Sequence, residues 1–587
     1  MSFFKQVLAT ITGVLITGVI LFFAFIFIIA IVFQASKSDK DAPTPANSVL
    51  YLPFDFTITE KSEANPFSDL NLPLGFSDKE IGLNDILAKI KAAKNDQNIK
   101  GIYLNPTVVG SGFATLKAIR DALVDFKTAD KFIVAYSEGY SQKAYYLSSV
   151  ADKIYLNPEG AVDFRGLSSS TMFMKDAFEK LGVDMQVIKV GTFKSAVEPF
   201  ILDGMSEPNR LQVTSYLNSI YDAFLDDVAA GRKISKDSLR HYADQYLVRN
   251  ADDALKYKFI DGKLYKDELI TEMKARLDIK EKKDISVVSI TKYNPKIEEN
   301  NAKDEIAVLY AYGDIVDGEG EMGQIGGDKI SRELRKLRED DKIKAVVLRV
   351  NSGGGSALAS DIIWREVELT KKVKPVIVSM GDYAASGGYY IAAAADSVFA
   401  EKSTLTGSIG VFGLIPNFKG LMNDKLGVKF EEVNTGKYAG LMNSPDKPLT
   451  AEERAIIQTE VNNVYSTFMD RVAKGRNMTI AQVDSIGQGR VWTGDQALQI
   501  GLVDKIGNLD RAIASAAAKG NLTSYSIQEY PLQEKVFASL FSSSKEKIKM
   551  WMFAEELGDY QKYFMQMQRM LKNTGIQARI PYTIEIY

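Results

Sequence analysis

The sequence predicts an α/β protein in which two tandem repeats, each built on a largely parallel sheet, follow one transmembrane helix. Three observations predict it: an uncharged apolar run near the N-terminus, an internal repeat with an offset near 244 residues, and short Val/Ile-rich runs alternating with helical patterns. At 587 residues the chain exceeds what one core holds, and two to four domains are expected. The expected division is residues 1–36 (tip and anchor), 37–48 (linker), 49–300 (first repeat), 301–523 (second repeat) and 524–587 (a Met- and aromatic-rich extension).

From Val7 to Phe33 no residue is charged and most are Val, Ile, Leu, Phe and Ala, with Thr10, Thr12 and Thr17 as minor polar interruptions. As a helix rising about 1.5 Å per residue this run reaches about 40 Å, enough to cross a hydrocarbon core of about 30 Å with some tilt. The apolar region of a cleavable signal peptide is shorter, so an uncleaved anchor is predicted. Lys5 and the terminal amine stand on one side, with Lys37 and Lys40 on the other, so charge counting does not set the orientation. Asp41 to Asn47, with two prolines, reads as a polar linker.

The repeat is visible residue by residue. Tyr145-Tyr146 with Ala151-Asp152 matches Tyr389-Tyr390 with Ala395-Asp396, and Leu181-Gly182-Val183 matches Leu426-Gly427-Val428. In the second copy strands are expected at 306–310, 345–350, 375–379 and 397–400, with helices near 329–338 and 360–371 between them. Near-continuous Val/Ile strands separated by helices imply crossover connections and a parallel sheet covered on both faces. In such sheets functional residues gather in the loops beyond the carboxyl ends of the strands.

Composition narrows the chemistry. The net charge of −3 gives no electrostatic footprint for nucleic acid. Cysteine is absent, which removes thiolate nucleophiles, disulfides and Cys-ligated zinc. The only histidine, His241, lies in a charged helical stretch and reads as a surface or packing residue. A hydrolase with this inventory needs Lys, Asp or Glu as its general base. No metal site and no cofactor are suggested.

Two loops of the second copy carry candidate chemistry. Asn351-Ser352-Gly353-Gly354-Gly355-Ser356 exposes backbone N–H groups that suit an anion or oxyanion, although a tight turn needing positive φ asks for the same glycines. Ser386, in Ala384-Ala385-Ser386-Gly387-Gly388-Tyr389-Tyr390, falls where strand becomes helix. It suits a nucleophile with the Gly387 N–H beside it, and it also suits a helix cap. Counting back 244 residues pairs Ser386 with Gln142 and Ser408 with Phe164, so the first copy lacks both hydroxyls at those positions. The first copy instead holds Lys194 in Gly191-Thr192-Phe193-Lys194-Ser195-Ala196-Val197-Glu198-Pro199-Phe200, opposite Ala439. One copy supplies the serine and the other the lysine.

At these residues, and at Ser403-Thr404-Leu405-Thr406-Gly407-Ser408-Ile409-Gly410, the chain resembles the long, duplicated form of the signal peptide peptidase A (protease IV) family, of the crotonase/Clp-protease fold superfamily. The resemblance implies a Ser/Lys serine endopeptidase with Ser386 as nucleophile, Lys194 as general base and Ser408 orienting the lysine. It further implies Gly355 and Gly387 N–H groups as the oxyanion hole. Family members commonly carry Pro where this chain has Gly353. The resemblance also implies apolar peptide substrates, namely signal peptide remnants, and a homo-oligomer, a tetramer. By the same token the chain is expected in the inner (cytoplasmic) membrane, single-pass, with its catalytic body on the extracytoplasmic side. Two other readings fit the fold: a crotonase-like acyl-CoA enzyme and a non-catalytic membrane scaffold. The extension carrying Met550, Trp551, Met552, Phe553, Phe564, Met565, Met567 and Met570 reads as helix packing or as an adaptable apolar surface, with no catalytic residue.

Overall fold

A computed structural model describes residues 5, 10–21, 23, 43–62, 80–295, 302–442, 446–532, 575–580 and 585–586. Residues 10–21 are helical and exposed; the rest of the predicted anchor lies largely outside the described residues. Among the described residues no helix is long and apolar enough to cross a membrane. The Met- and aromatic-rich stretch from Met550 to Met570 also lies outside them.

The two repeats build the same sheet twice. The first runs Ser286–Ser289, Ser48–Leu52, Ile99–Leu104, Phe132–Ser137, Lys153–Leu156, Gly262–Lys263, parallel throughout. The second runs Ser526–Tyr530, Glu305–Tyr312, Ile343–Ser352, Val376–Ala385, Ser397–Ala400, Lys505–Ile506, again parallel and in the same spatial order. The central strands are buried along most of their length because helices cover both faces, which is why Val and Ile run on without polar alternation. Equivalent polar contacts recur: Asp152 and Asp396 accept from the backbone N–H groups of Ile133 and Val376, and Tyr145 and Tyr389 donate to the carbonyls of Phe259 and Leu502.

Strands in the second copy are longer than the sequence suggests. Val376–Ala385 continues past Ser379 because its second half pairs with Leu405–Gly407 and, at Ala384, with Ser352. Gly381, inside this strand, is a crowding position: a Cβ there would lie 2.7 Å from Glu60 Oε1 and 2.8 Å from Asn351 Cγ.

A third sheet joins the repeats. Its order is Gln324–Gly326, Asp314–Val316, Gly354–Ser356, Gly575–Arg579, Phe412–Asn417, Asp184–Lys189. The last pair is antiparallel over six residues and carries the first repeat's chain onto the second. A buried seam reinforces this: Glu60 accepts from Arg349 Nε at 2.9 Å and from Asn351 Nδ2 at 2.6 Å, while Asp382 accepts from Thr115 N at 3.0 Å and Thr115 Oγ1 at 2.6 Å.

Candidate active site

Ser386 stands between strand Val376–Ala385 and helix Gly387–Ala392 with φ 55° and ψ −114°. Positive φ is costly for a residue with a Cβ, and the surroundings enforce it: the Ser386 N–H donates to Gly407 O at 2.7 Å and its carbonyl accepts from Tyr390 N at 2.8 Å. The side chain makes no capping bond to the helix, so the cap reading fails. Its hydroxyl points away and lies 2.9 Å from Lys194 Nζ and 3.3 Å from Gly410 O. The two glycines that follow are packing requirements. A Cβ on Gly387 would lie 2.7 Å from Ser360 Oγ, and one on Gly388 would lie 2.6 Å from Ser352 O.

Lys194 arrives from the first repeat of the same chain. Strand Asp184–Lys189 lies along Phe412–Asn417, and the chain then turns through Gly191 into a short 3₁₀ turn, Ser195–Val197. Phe193 N–H donates to Gln488 O at 2.8 Å, and a Cβ on Gly489 would meet Lys194 Cα at 2.7 Å, so the second repeat closes directly over the lysine backbone. Gln212 braces the turn by donating to Phe193 O and Ser195 Oγ, and it accepts from Val491 N. Lys194 is 1% exposed and Ser386 fully buried. Burial, and then the Arg579 cation, hold the lysine's pKa well below its ordinary value. Its other neighbours are Ser408 Oγ at 3.1 Å and Ser408 O at 3.4 Å. Ser408 also sits at positive φ, 51°, and its hydroxyl donates to Gly489 O at 3.1 Å. The lysine and both serines predicted from sequence therefore meet at one point.

Gly354 and Gly355 adopt φ of 100° and 158°. A Cβ on Gly354 would lie 2.1 Å from Ala578 O and 2.8 Å from Gly387 N, and one on Gly355 would lie 2.0 Å from Ile315 O. Both the backbone conformation and the close approach require glycine there. The strand from Gly575 to Arg579 pairs antiparallel with this loop, Ala578 opposite Gly355, and Ile580 N–H donates to Gly353 O at 2.8 Å. Antiparallel bonds recur at every second residue, so that register turns the Gly355 N–H onto the Ala578 carbonyl. Gly355 and Gly387 thus flank one carbonyl oxygen.

The first repeat's equivalent position is closed. Residue counting pairs Ser386 with Gln142, but the residue that enters the corresponding helix, Gln142–Ser148, is Ser141, so a hydroxyl is present one place earlier than expected. It has ordinary φ (−65°), caps the helix by accepting from Ala144 N, and its own N–H is taken by Thr107 O. Phe164, in place of Ser408, packs among Tyr145, Phe224 and Phe259. Ala439, opposite Lys194, is exposed. Sequence reasoning missed Ala578 and Arg579, which the strand Gly575–Arg579 brings to the site, and Asp314, with which Arg579 pairs. Pairing between residues more than two hundred positions apart leaves no local signal.

Over residues 125–280, and again over 368–523, the chain matches the family described as Peptidase family S49. The chain belongs to peptidase family S49. The two matches begin 243 residues apart, in step with the repeat. The chain is 36% identical to Protease 4 of Haemophilus influenzae, over 88% of this chain and 86% of that protein. It is 35% identical to Protease 4 of Salmonella typhi, over 89% and 87%, and 35% identical to the chloroplastic serine protease SPPA of Arabidopsis thaliana, over 76% and 66%. A ClpP1 mutant of Listeria monocytogenes overlaps 35% of the chain at 15% identity and a TM-score of 0.24, too slight to bear on fold or function. This S49 member is a serine protease, which leaves the acyl-CoA and scaffold readings without support.

Proposed function

We propose that this S49 peptidase is a membrane-anchored endopeptidase in which Ser386 is the nucleophile, Lys194 the general base, Ser408 the residue that positions the amine, and Gly355 and Gly387 the oxyanion donors. The observation that carries the reading is the buried 2.9 Å contact between Lys194 Nζ and Ser386 Oγ. Burial and a neighbouring cation favour the neutral amine, the form that takes the serine proton as Oγ attacks the peptide carbonyl. The Gly355 and Gly387 N–H groups then meet the oxygen as it gains charge. The protonated lysine gives its proton to the leaving amine, and a water hydrolyses the acyl ester by the same path.

The substrates are apolar peptides in extended form, of the kind that signal peptide remnants supply. The uncharged run from Val7 to Phe33 anchors the body to the inner membrane, with the catalytic domains on the extracytoplasmic side. The active form is a homo-oligomer, a tetramer. A fluorophosphonate probe tests the chemistry. It labels Ser386 in the purified protein and fails to label Lys194→Ala; a labelled Lys194→Ala, or full peptidase activity in Ser386→Ala, overturns the assignment. Deleting residues 1–36 moves the protein from the membrane pellet to the soluble fraction, and an unchanged pellet overturns the anchor.

A further inference from the structure

The turn that delivers Lys194 has no regular structure of its own. Gly191 to Lys194 form neither helix nor strand, and Lys194 sits at φ −74° and ψ 82°. A segment outside helix and sheet opens more readily than either unless its neighbours hold it. The hold is at Phe193. Its N–H donates to Gln488 O at 2.8 Å and its carbonyl accepts from Gln212 Nε2 at 3.0 Å. Its ring, half-buried, is held separately.

Arg490 of the second repeat does this. Its guanidinium carbon stands 5.1 Å from the centre of the Phe193 ring and 4.0 Å from that of Trp492. A cation within about 6 Å of an aromatic centroid is drawn to the ring face, the more so where water is kept away. Arg490 Nε is buried with no hydrogen-bond partner among the described residues, and burial lowers the guanidinium's pKa with no carboxylate opposing it. Buried charges ordinarily take a counter-charge; this one takes two rings. The backbone of Arg490 reaches the same site from the other side, since its carbonyl accepts from Ser408 N at 2.7 Å. One residue thus links the position before Lys194 to the serine that bonds the amine.

We propose that Arg490 is a positioning residue, which clamps the Phe193 ring and so fixes the approach of Lys194 Nζ to Ser386 Oγ. This rests on the Ser386/Lys194 reading and deepens it. Arg490 acts through contact rather than through its field. The cation that helps lower the Lys194 pKa is Arg579, which pairs with Asp314. The nearby carboxylates are engaged elsewhere: Glu198 accepts from Ser206 and Asn209, and Asp484 from Tyr465 and Gln488. With the ring released the turn loosens, water reaches the amine, and the lysine's pKa climbs toward its ordinary value.

The test is steady-state hydrolysis of an apolar reporter peptide by the purified full-length chain across about pH 5 to 10. Arg490→Met, which fills much of the space without charge, is expected to lower kcat about tenfold with KM within about twofold. Because the neutral amine is the base, its acid limb of kcat/KM is expected to move up by at least about half a pH unit. Arg490→Lys, which keeps a cation at the rings, recovers most of both changes. Phe193→Leu reproduces them, and adding Arg490→Met to it costs little more, since the clamp is already gone. Urea unfolding shows which variants are folded; if Arg490→Met is not, Arg490→Lys and Phe193→Leu carry the test. A kcat loss with an unmoved acid limb, a change confined to KM, or fully additive losses in the double variant overturns the positioning role. An Arg490→Met enzyme indistinguishable from wild type, beside an inactive Lys194→Ala, also overturns it and leaves the Ser/Lys reading standing. Full activity in Lys194→Ala brings down the Ser/Lys reading itself, and the clamp with it.

Discussion

Ser386 and Ser408 hold φ of 55° and 51°, an expense that serine bears only where neighbours dictate it. Both bring a hydroxyl to Lys194, and the proposed mechanism gives the two different ends. Ser408→Ala should lower kcat about 10- to 100-fold with KM little changed, because the amine loses a partner but keeps its burial; an equal rise in KM would mark Ser408 as a substrate contact. The depressed lysine pKa sets the pH dependence. On the proposed role the neutral amine is the working form, so kcat/KM should rise about tenfold per pH unit below the folded-state value and level above it. Between that value and about 10.4 the unfolded lysine binds a proton that the folded one does not, so stability rises with pH across the same window. Lys194→Met should abolish activity and remove that slope in denaturation curves. Lys194 and Ser408 stood out because each is present in one copy only, while Ser386 stood out by the two glycines that follow it. Ser141 escaped the count, since the helices after it and after Ser386 begin 245 residues apart rather than 244.

At the scale of elements, the loop Gly353 to Ser356 works through what it lacks. At Gly354 a methyl group would strike the carbonyl of Ala578, or of any peptide seated in its stead, at 2.1 Å, on a backbone at φ 100°. Gly354→Ala should therefore lose at least a hundredfold in kcat/KM while the protein still folds; retained activity in a steady-state peptide assay would contradict the loop's assigned part. The glycine run was evident in the sequence, whereas the strand Gly575–Arg579 that pairs with it from more than two hundred residues away was not. Strand ends were less legible. Val376–Ala385 runs six residues past Ser379 because tertiary pairing, not local preference, carries it over Gly381 and Asp382.

Across the whole molecule, the repeats are one working unit. Glu60 from the first half is 5% exposed at its side chain against Arg349 of the second at 6%, and removing one member strands the other in a dry seam. Glu60→Ala should cost about 3–5 kcal/mol in urea unfolding, far more than an exposed pair would. Glu401 offers a contrary test. Burial, and next Asp121, raise its pKa from 4.5 to about 7, so the folded state gains stability as pH falls from about 7 toward 4.5. Glu401→Gln should raise the unfolding midpoint at pH 8, by a free energy on the order of 3 kcal/mol at most, and confer nothing near pH 4.5. Duplication was plain from the sequence; that the halves share a sheet was not, since the pairing of Asp184–Lys189 with Phe412–Asn417 spans more than two hundred residues.

The edges Gly354–Ser356 and Phe412–Leu414, which the strand Gly575–Arg579 bridges, bear on which proteins the proposed endopeptidase would leave alone. Two opposed edges demand a guest whose N–H and C=O groups are free on both sides. Helices satisfy theirs internally, and strands inside folded sheets have already given theirs to neighbours. On the proposed assignment native proteins nearby would be passed over without any proofreading of sequence, sorted by foldedness alone.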